Sequence, residues 1–119
     1  MYSNIRGLLL ASNKTKIDYI RDMVIEENIF AVEMTETWLK PHIKDAEVEI
    51  KGFRMYRSDR VGPVHGGVCI YIRNDVSAAL VSRVSTDNVD GLVIKIKEIK
   101  TILCAIYMQE NMGLKDSQM

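Results

Sequence analysis

Glu36 is the residue whose type and position point most directly to chemistry. It stands between Thr35 and Thr37, directly after an apolar segment that is predicted to be a strand. A carboxylate leaving the carboxyl end of a strand is well placed to bind a hard cation, because such ends converge on a cleft in layered folds. Since an exposed glutamate at a strand end is far more often structural than catalytic, Glu36 by itself is only a candidate metal ligand.

Charged residues are balanced over the chain but clustered along it. Sixteen basic and sixteen acidic residues leave no bulk positive charge to attract nucleic acid or an anionic membrane, so any nucleic-acid role must come from a local site. Residues 18–49 contain nine acidic and three basic side chains, whereas residues 51–60 contain four basic and one acidic. Two interpretations stay open: two solvated faces that partly neutralise each other, or a metal-seeking carboxylate region beside a phosphate-facing basic strand.

The other reactive residues do not form a known motif. His42 and His65 have no partner at metal-ligand spacing, and Cys69 is expected to be a buried, inert thiol within a strand. Gly66 and Gly67 precede a strand and no Gly-Lys-Ser/Thr follows, which excludes a P-loop and favours a bulge or a close backbone approach. The sequence contains no Gly-x-Ser-x-Gly, so a serine hydrolase is unsupported.

A single domain must position these residues, because 119 residues with 47% hydrophobic and 27% charged side chains suffice for one globular domain and not for two. No apolar run is long enough to span a bilayer, and the apolar segment after Arg6 is shorter than the core of a secretory signal. We therefore expect an intracellular protein of the nucleus or cytoplasm with no membrane partner, in which Cys69 and Cys104 are reduced thiols.

One helix is predicted from residue 16 to about residue 27, where apolar residues follow helical spacing. Thr15 followed by Asp18 resembles a capping box at its start. A strand is predicted over residues 29–35, and Glu33 falls on the face opposite its apolar residues, which is acceptable if that face is polar.

The remainder of the chain is predicted to be all-β. The predicted strands are residues 53–58, 68–73, 76–81, 92–97 and 101–108. Asn74-Asp75 predicts a hairpin turn and Asp90-Gly91 the opening of the next strand pair, while residues 101–108 are apolar on both faces and favour a central position. The fold class is therefore α/β (α+β), with one main helix and a mostly antiparallel arrangement of roughly five or six strands.

Short motifs follow one another along nearly the whole chain. They are Asn4-Ile5-Arg6-Gly7-Leu8, Lys16-Ile17 at the helix start, Thr35-Glu36-Thr37-Trp38-Leu39, Gly52-Phe53, Arg57-Ser58-Asp59-Arg60, Gly66-Gly67-Val68-Cys69-Ile70-Tyr71 and Ala105-Ile106-Tyr107. In this order the set resembles the endonuclease/exonuclease/phosphatase family. More narrowly, it is similar to the apurinic-type endonuclease domain at the start of non-LTR (LINE-type) retrotransposon polyproteins, of which it covers only the first part.

The resemblance implies a partial four-layer α/β sandwich and Mg²⁺-dependent cleavage of a DNA phosphodiester. By matching position, Glu36 would be the metal ligand, Asn4 the active-site asparagine, and Tyr107 the tyrosine that contacts the scissile phosphate. Mg²⁺ takes one or two carboxylates and leaves room for phosphate oxygens and waters, and an amide and a phenol can hold phosphate or the attacking water. Arg57 and Arg60 are candidates for DNA backbone phosphate contacts, with ordinary ion pairs to neighbouring acids as the alternative.

The chain also departs from the family pattern. The family's Asp-x-Asn and Ser-Asp-His segments, which position the nucleophile and supply a histidine, do not occur after Tyr107. We therefore expect residues 1–119 to be a single truncated domain, a fragment of a retrotransposon endonuclease that nicks target DNA but is inactive alone. The alternative is a non-catalytic module that binds nucleic acid or protein.

The departures bear on folding as well. Residues 1–3 are too few for the strand that should precede Asn4, Glu33 stands where relatives have apolar residues, and the second sheet of the sandwich should come largely from later sequence. Apolar side chains of residues 68–72 and 92–108 would then be exposed to water, each at a cost of about 1.5–3 kcal/mol. We expect the chain to dimerise through that face, to aggregate, or to fold only with further sequence.

Overall fold

The computed structural model describes residues 1–9, 16–60 and 66–108 of the chain. Within these residues the strands are β1 (Tyr2–Asn4), β2 (Ala31–Thr35), β3 (Phe53–Ser58), β4 (Val68–Arg73), β5 (Ala78–Ser85), β6 (Val89–Ile96) and β7 (Thr101–Met108). The α-helix is α1 (Lys16–Glu26), and a short 3₁₀ helix, Asp45–Val48, lies between β2 and β3.

The strands form two sheets, one in the order β1-β2-β4-β3 and one in the order β5-β6-β7. β1 and β2 are parallel, and the other pairs are antiparallel. This mixed α/β architecture, with one helix and mostly antiparallel strands in the described residues, confirms the predicted fold class.

The helix has the predicted extent and packs on the first sheet. Ile17, Ile20 and Val24 are buried at helical spacing and form one cluster with apolar residues of β2 and β4. After the helix, Asn28 takes a left-handed conformation (φ 51°), which asparagine tolerates better than most residues. The predicted cap at Thr15 lies outside the described residues.

The two sheets pack face to face. A second buried cluster joins the alternate residues of β4 to those of β6: Val68, Ile70, Ile72, Leu92, Ile94 and Ile96. Each of these side chains is 0% exposed, and burial of one such side chain contributes about 1.5–3 kcal/mol. The predicted alternation of β4 is confirmed, because Cys69 and Tyr71 face the helix side instead.

Two predictions about the sheets are wrong: that residues 1–3 are too few for a strand, and that the first sheet lacks a second sheet to cover it. In both cases pairing with distant strands forms the structure. Tyr2–Asn4 do form a strand, since β2 offers its edge and Glu33 donates its amide to the Met1 carbonyl at 2.7 Å. The second sheet is not missing either, because β5, β6 and β7 build three strands of it and cover β4.

Two turn predictions are also wrong. Asn74-Asp75 does not join a hairpin, because β4 and β5 belong to different sheets and the chain crosses between the sheets at this turn. Asp90-Gly91 lies inside β6 rather than in a turn. The strand predicted over residues 29–35 begins only at Ala31. Asn, Asp and Gly are common in turns because of the backbone conformations that they tolerate. The same residues also occur in connections between sheets and inside strands, so their presence alone does not identify a hairpin.

The strand predicted to be central, β7, has a neighbour on only one side in the described sheet. Its alternate residues Ile102, Ile106 and Met108 are 59%, 55% and 70% exposed. We call this side of the β5–β7 sheet, with Val84 of β5, the outer face. Part of the predicted exposure of apolar residues is therefore present on β7, but Val68, Ile70 and Ile72 of β4 and Leu92, Ile94 and Ile96 of β6 are buried. No helix in the described ranges is long and apolar enough to cross a membrane.

Glu33 occupies the middle of β2, opposite Tyr2 of β1 and Ile70 of β4. Its face is not polar, as residues directly opposite in a sheet share a face and Ile70 lies in the cluster between the sheets. Burial raises the pKa of the Glu33 carboxyl above its ordinary value, and the Met1 amino group opposes this more weakly.

Candidate functional site

Asn4 and Glu36 lie at the same edge of the first sheet. In the parallel pair of β1 and β2, Asn4 is opposite Thr35, and Ile5 donates its amide to the Thr35 carbonyl at 2.9 Å. The carboxyl ends of the two strands therefore meet, and Glu36 is the first residue beyond β2. The Glu36 side chain is 15% exposed, and its Oε2 lies 3.9 Å from Nε of Arg6.

The backbone at this edge is held in unusual conformations. Arg6, Glu36 and Trp38 have φ values of 52°, 56° and 57°, in the left-handed region that side chains disfavour. Such a conformation costs about 1–3 kcal/mol per residue and persists only where the surroundings hold it. The carbonyls of Gly66 and Gly67 accept the amides of Trp38 and Thr37 at 2.9 and 3.2 Å, which fixes the segment beside Glu36.

A side chain at Gly67 would collide with this segment, and a side chain at Gly66 would crowd Asp90. Their φ values are 100° and 87°, and a Cβ on Gly67 would lie 2.7 Å from Oγ1 of Thr37. A Cβ on Gly66 would lie 3.0 Å from Oδ2 of Asp90. The predicted close backbone approach of the two glycines is confirmed, and it serves the Glu36 segment.

Tyr107 lies near the end of β7, opposite Asp90 of β6. Asp90 is 0% exposed, and its Oδ2 accepts hydrogen bonds from the Gly67 amide at 3.0 Å and from Nε of Arg60 at 3.1 Å. The Arg60 guanidinium in turn lies 5.9 Å from the centre of the Tyr107 ring. Tyr107 thus belongs to a polar cluster between the two sheets.

The three predicted catalytic residues come to one end of the sandwich. Asn4 and Glu36 stand at the carboxyl ends of β1 and β2, and Gly67, just before β4, lies beside Glu36 because β4 runs antiparallel to β2. The hydrogen bond from Gly67 to Asp90 places the end of the second sheet that carries Tyr107 against this edge. β2 and β7 are accordingly in contact across the two sheets.

The two arginines predicted to contact DNA are engaged with protein groups. Arg60 is 2% exposed and forms an interior ion pair with Asp90, which differs from the sequence expectation of a phosphate-contacting side chain. Arg57 pairs with Asp59 at 2.7 Å and with Asp45 at 3.0 Å, as the ion-pair alternative predicted. Burial alone would lower the pKa of Arg57, but its hydrogen bonds and charge interactions with Asp59 and Asp45 outweigh burial and raise it.

Asp90 is the residue that sequence reasoning missed. In the sequence, Asp90-Gly91 has the form of a turn, and an aspartate inside a strand is uncommon. The available signal was the alternation of Leu92, Ile94 and Ile96, because its continuation by one step places residue 90 on the same buried face.

The donor set at this edge suits one kind of metal site. Among the described residues, no three His, Cys, Asp or Glu side chains are grouped to hold a metal ion. The carboxylate of Glu36 and the exposed amide of Asn4 fit Mg²⁺ that is held by one carboxylate and completed by phosphate oxygens and waters. They do not fit an all-protein cage. His42 is exposed, and His65 lies outside the described residues.

A cleft of about 200 Å³ opens beside the Glu36 segment. Gly7, Thr37, Trp38, Lys40 and His42 are among the residues that line it. An aromatic ring and a lysine side chain are residue types that bind nucleotides by stacking and charge attraction.

Comparison with known proteins gives similarity at the level of the fold. No family model and no curated protein matches the sequence. The AP endonuclease LMAP from Leishmania major has a TM-score of 0.61 at 17% identity, over 98% of this chain and 42% of that one. The human Nocturnin catalytic domain, with bound sulfate anion, has a TM-score of 0.52 at 12% identity, over 87% of this chain and 45% of that one. The chain thus has an endonuclease/exonuclease/phosphatase-type fold and spans less than half of each structure.

Proposed function

We propose that the chain is the first part of a Mg²⁺-dependent phosphodiesterase domain that nicks DNA, of the kind found in non-LTR retrotransposon polyproteins. The observation that carries the proposal is the meeting of Asn4, Glu36 and Tyr107 at one end of the two-sheet sandwich. The fold similarity to an AP endonuclease supports DNA as the substrate class. The retrotransposon assignment rests on the Thr35–Leu39 and Arg57–Arg60 motifs.

Each side chain has a role that suits its chemistry. Glu36 would hold the cation through its carboxylate, and Mg²⁺ would supply Lewis acidity at the phosphoryl group. The Asn4 amide can donate to a phosphate oxygen or orient water, and the Tyr107 phenol can donate to phosphate. Arg6, whose side chain is 75% exposed beside Glu36, is better placed than the interior Arg60 to contact the DNA backbone.

The isolated chain is proposed to be inactive in cleavage. The Asp-x-Asn and Ser-Asp-His segments that position the nucleophile and supply a histidine in the family do not occur in this sequence. Loss of general acid–base and charge-stabilising groups lowers a rate by several orders of magnitude. Glu36 and Asn4 themselves lie outside these segments, so their metal binding can be tested in this chain.

The test is metal binding by the full chain. Mn²⁺, a paramagnetic substitute for Mg²⁺, is expected to broaden NMR signals of Asn4 and of residues next to Glu36. Glu36→Ala should weaken this binding by more than about 10-fold. Removal of a residue that only contacts a metal ligand already lowers metal affinity by at least about 10-fold, and Glu36 is proposed to be a ligand itself. Glu26→Ala, at an exposed position on α1, is the matched control and should have no effect.

A plasmid assay separates the remaining outcomes. Mn²⁺ binding at Glu36 without nicking of supercoiled plasmid is the expected result, and Mg²⁺-dependent nicking that disappears in Glu36→Ala would show that this chain is itself active. If Mn²⁺ broadening is absent, or survives Glu36→Ala, the proposal fails and a non-catalytic module that binds nucleic acid or protein becomes the better explanation.

The proposed function gives the protein two binding partners. DNA is the substrate, and a second copy of the chain covers the outer face. Ile102, Ile106 and Met108 form an exposed apolar stripe there, on a strand that has one neighbour within the described residues. With a formal net charge of zero, no net-charge repulsion opposes the association of two copies.

A further inference from the structure

A buried ion pair joins the two sheets beneath the candidate site. Arg60 follows β3 of the first sheet, and Asp90 lies in β6 of the second. The side chains are 2% and 0% exposed, and Arg60 Nε lies 3.1 Å from Asp90 Oδ2. Arg60 also donates through Nη1 to the carbonyl of Asp87 at 3.0 Å, which anchors it to the turn before β6.

The pair contacts both halves of the proposed site. On one side, Asp90 Oδ2 accepts the Gly67 amide, and the Gly67 carbonyl accepts the amide of Thr37, the residue after Glu36. On the other side, the Arg60 guanidinium lies 5.9 Å from the Tyr107 ring centre, within the range of a cation–π interaction. Asp90 and Arg60 therefore connect the backbone that carries Glu36 to the ring of Tyr107.

Stability alone does not account for this arrangement. A buried ion pair is often no more stable than apolar residues of the same volume, because removing two charges from water costs as much as their attraction returns. Asp90 Oδ1 is buried, and no residue of the described part of the chain donates a hydrogen bond to it. An ion pair that leaves one buried acceptor unsatisfied is better explained by the groups that it holds in place, here Gly67 and Tyr107, than by its contribution to stability.

We propose that Arg60 and Asp90 are a positioning pair that sets the orientation of the Tyr107 ring and the place of the Gly67 backbone relative to Glu36. The inference rests on the proposed function, since Tyr107 and Glu36 are the groups that it aligns. Neither Arg60 nor Asp90 touches substrate.

The decisive variant is Arg60→Met/Asp90→Leu, which removes both charges while keeping similar volume. The readouts are the NMR signal of the Tyr107 ring in ¹³C-tyrosine-labelled protein, assigned with Tyr107→Phe, and hydrogen exchange of the Gly67 amide. We expect a displaced Tyr107 signal and Gly67 exchange that is roughly 10- to 100-fold faster, as for loss of a hydrogen bond to a charged group. Exchange of the Tyr71 amide, in the interior of β4, serves as the reference for global opening.

The matched control is Asp75→Asn, which breaks the Arg73–Asp75 pair on the surface, where Nε and Oδ1 are 2.7 Å apart. It should move neither readout. The proposal is overturned if the double variant folds with the Tyr107 signal and the Gly67 exchange unchanged. A change in only one of them also overturns it, since one pair is held to position both.

If the double variant does not fold, Arg60→Lys decides the question. Lysine keeps the charge beside Asp90 but lacks the planar guanidinium over the ring. The Tyr107 signal should then move while the Gly67 amide stays protected, and an unmoved Tyr107 signal would overturn the proposal. Failure of the proposed function appears separately, as absent Mn²⁺ broadening at Glu36 in the wild-type chain.

Discussion

At the residue scale, the site depends on single positions that tolerate little change. Glu36 is held with a positive φ, Gly67 supports it through the backbone, and Asp90 holds Gly67. Strained or closely packed positions of this kind cluster at functional sites, because the surrounding structure must hold them in place. The consequence is that small substitutions here should be more costly than similar ones elsewhere.

Gly67→Ala and Gly52→Ala test this directly, because both glycines have a φ of 87°. A Cβ at Gly52 meets nothing within 4 Å, whereas at Gly67 it would lie 2.7 Å from Thr37 Oγ1. The left-handed conformation costs both variants about 1–2 kcal/mol, and overpacking adds about 1–3 kcal/mol at Gly67. Urea unfolding measures the difference, and equal losses of stability would show that the Gly67 contact is relaxed in solution.

At the element scale, side-chain hydrogen bonds attach loops to strands near the site. Arg57 of β3 donates to the carbonyls of Lys40 and Ile43 at 3.0 and 2.7 Å, in addition to its ion pairs. These bonds fix the segment that follows Trp38 and leads to the short 3₁₀ helix. The basic character of residues 51–60 is thus partly used inside the fold.

Arg57→Lys separates a structural role from a phosphate contact. Lysine cannot reproduce the fork of donors, so we expect a loss of about 1–3 kcal/mol in the free energy of unfolding. DNA affinity and its salt dependence should stay unchanged in the folded variant, because the guanidinium is already engaged. A drop of about one in the salt slope without loss of stability would instead restore Arg57 as a phosphate contact.

At the scale of the whole molecule, two sheets bury one another on one face, while the outer face of the second sheet exposes apolar side chains in the described part of the chain. Contiguous exposed apolar surface marks interaction sites. An unpaired edge strand adds backbone donors and acceptors that favour pairing with another strand. One face of the second sheet is buried against β4, and the apolar residues of β7 on its other face can contact a partner.

We expect the chain to self-associate through this outer face. Ile106→Lys places a charge within the apolar stripe, and association would have to bury that charge. We expect the dissociation constant of the dimer to rise by at least about 10-fold, which corresponds to about 1.4 kcal/mol. Ile25→Lys, at an 80% exposed position on α1, is the control and should leave association unchanged. Size-exclusion chromatography with light scattering gives the masses, and a compact, dilution-resistant wild-type monomer that binds no apolar dye would contradict the prediction.

The sequence alone determined what depends on short-range periodicity and on residue type. The helical spacing before Glu27 predicts α1, the alternation in residues 68–73 predicts β4, and Gly66-Gly67 predicts a close backbone approach. The placement of Asn4, Glu36 and Tyr107 as candidates came from the resemblance of the motifs around them. Each of these patterns involves a few neighbouring residues or the order in which short motifs follow one another along the chain.

Tertiary structure decided which strands share a sheet and which charges lie inside. Asn74-Asp75 is a crossover and Asp90 a buried partner because burial of the β4 and β6 faces against each other outweighs local turn preference. Arg60, as basic as Lys51, Arg54 and Arg57, lies in the interior because Asp90 of the other sheet forms an ion pair with it there. Long-range pairing selects among local possibilities that are close in free energy, so the local turn signals at Asn74-Asp75 and Asp90-Gly91 did not reveal these outcomes.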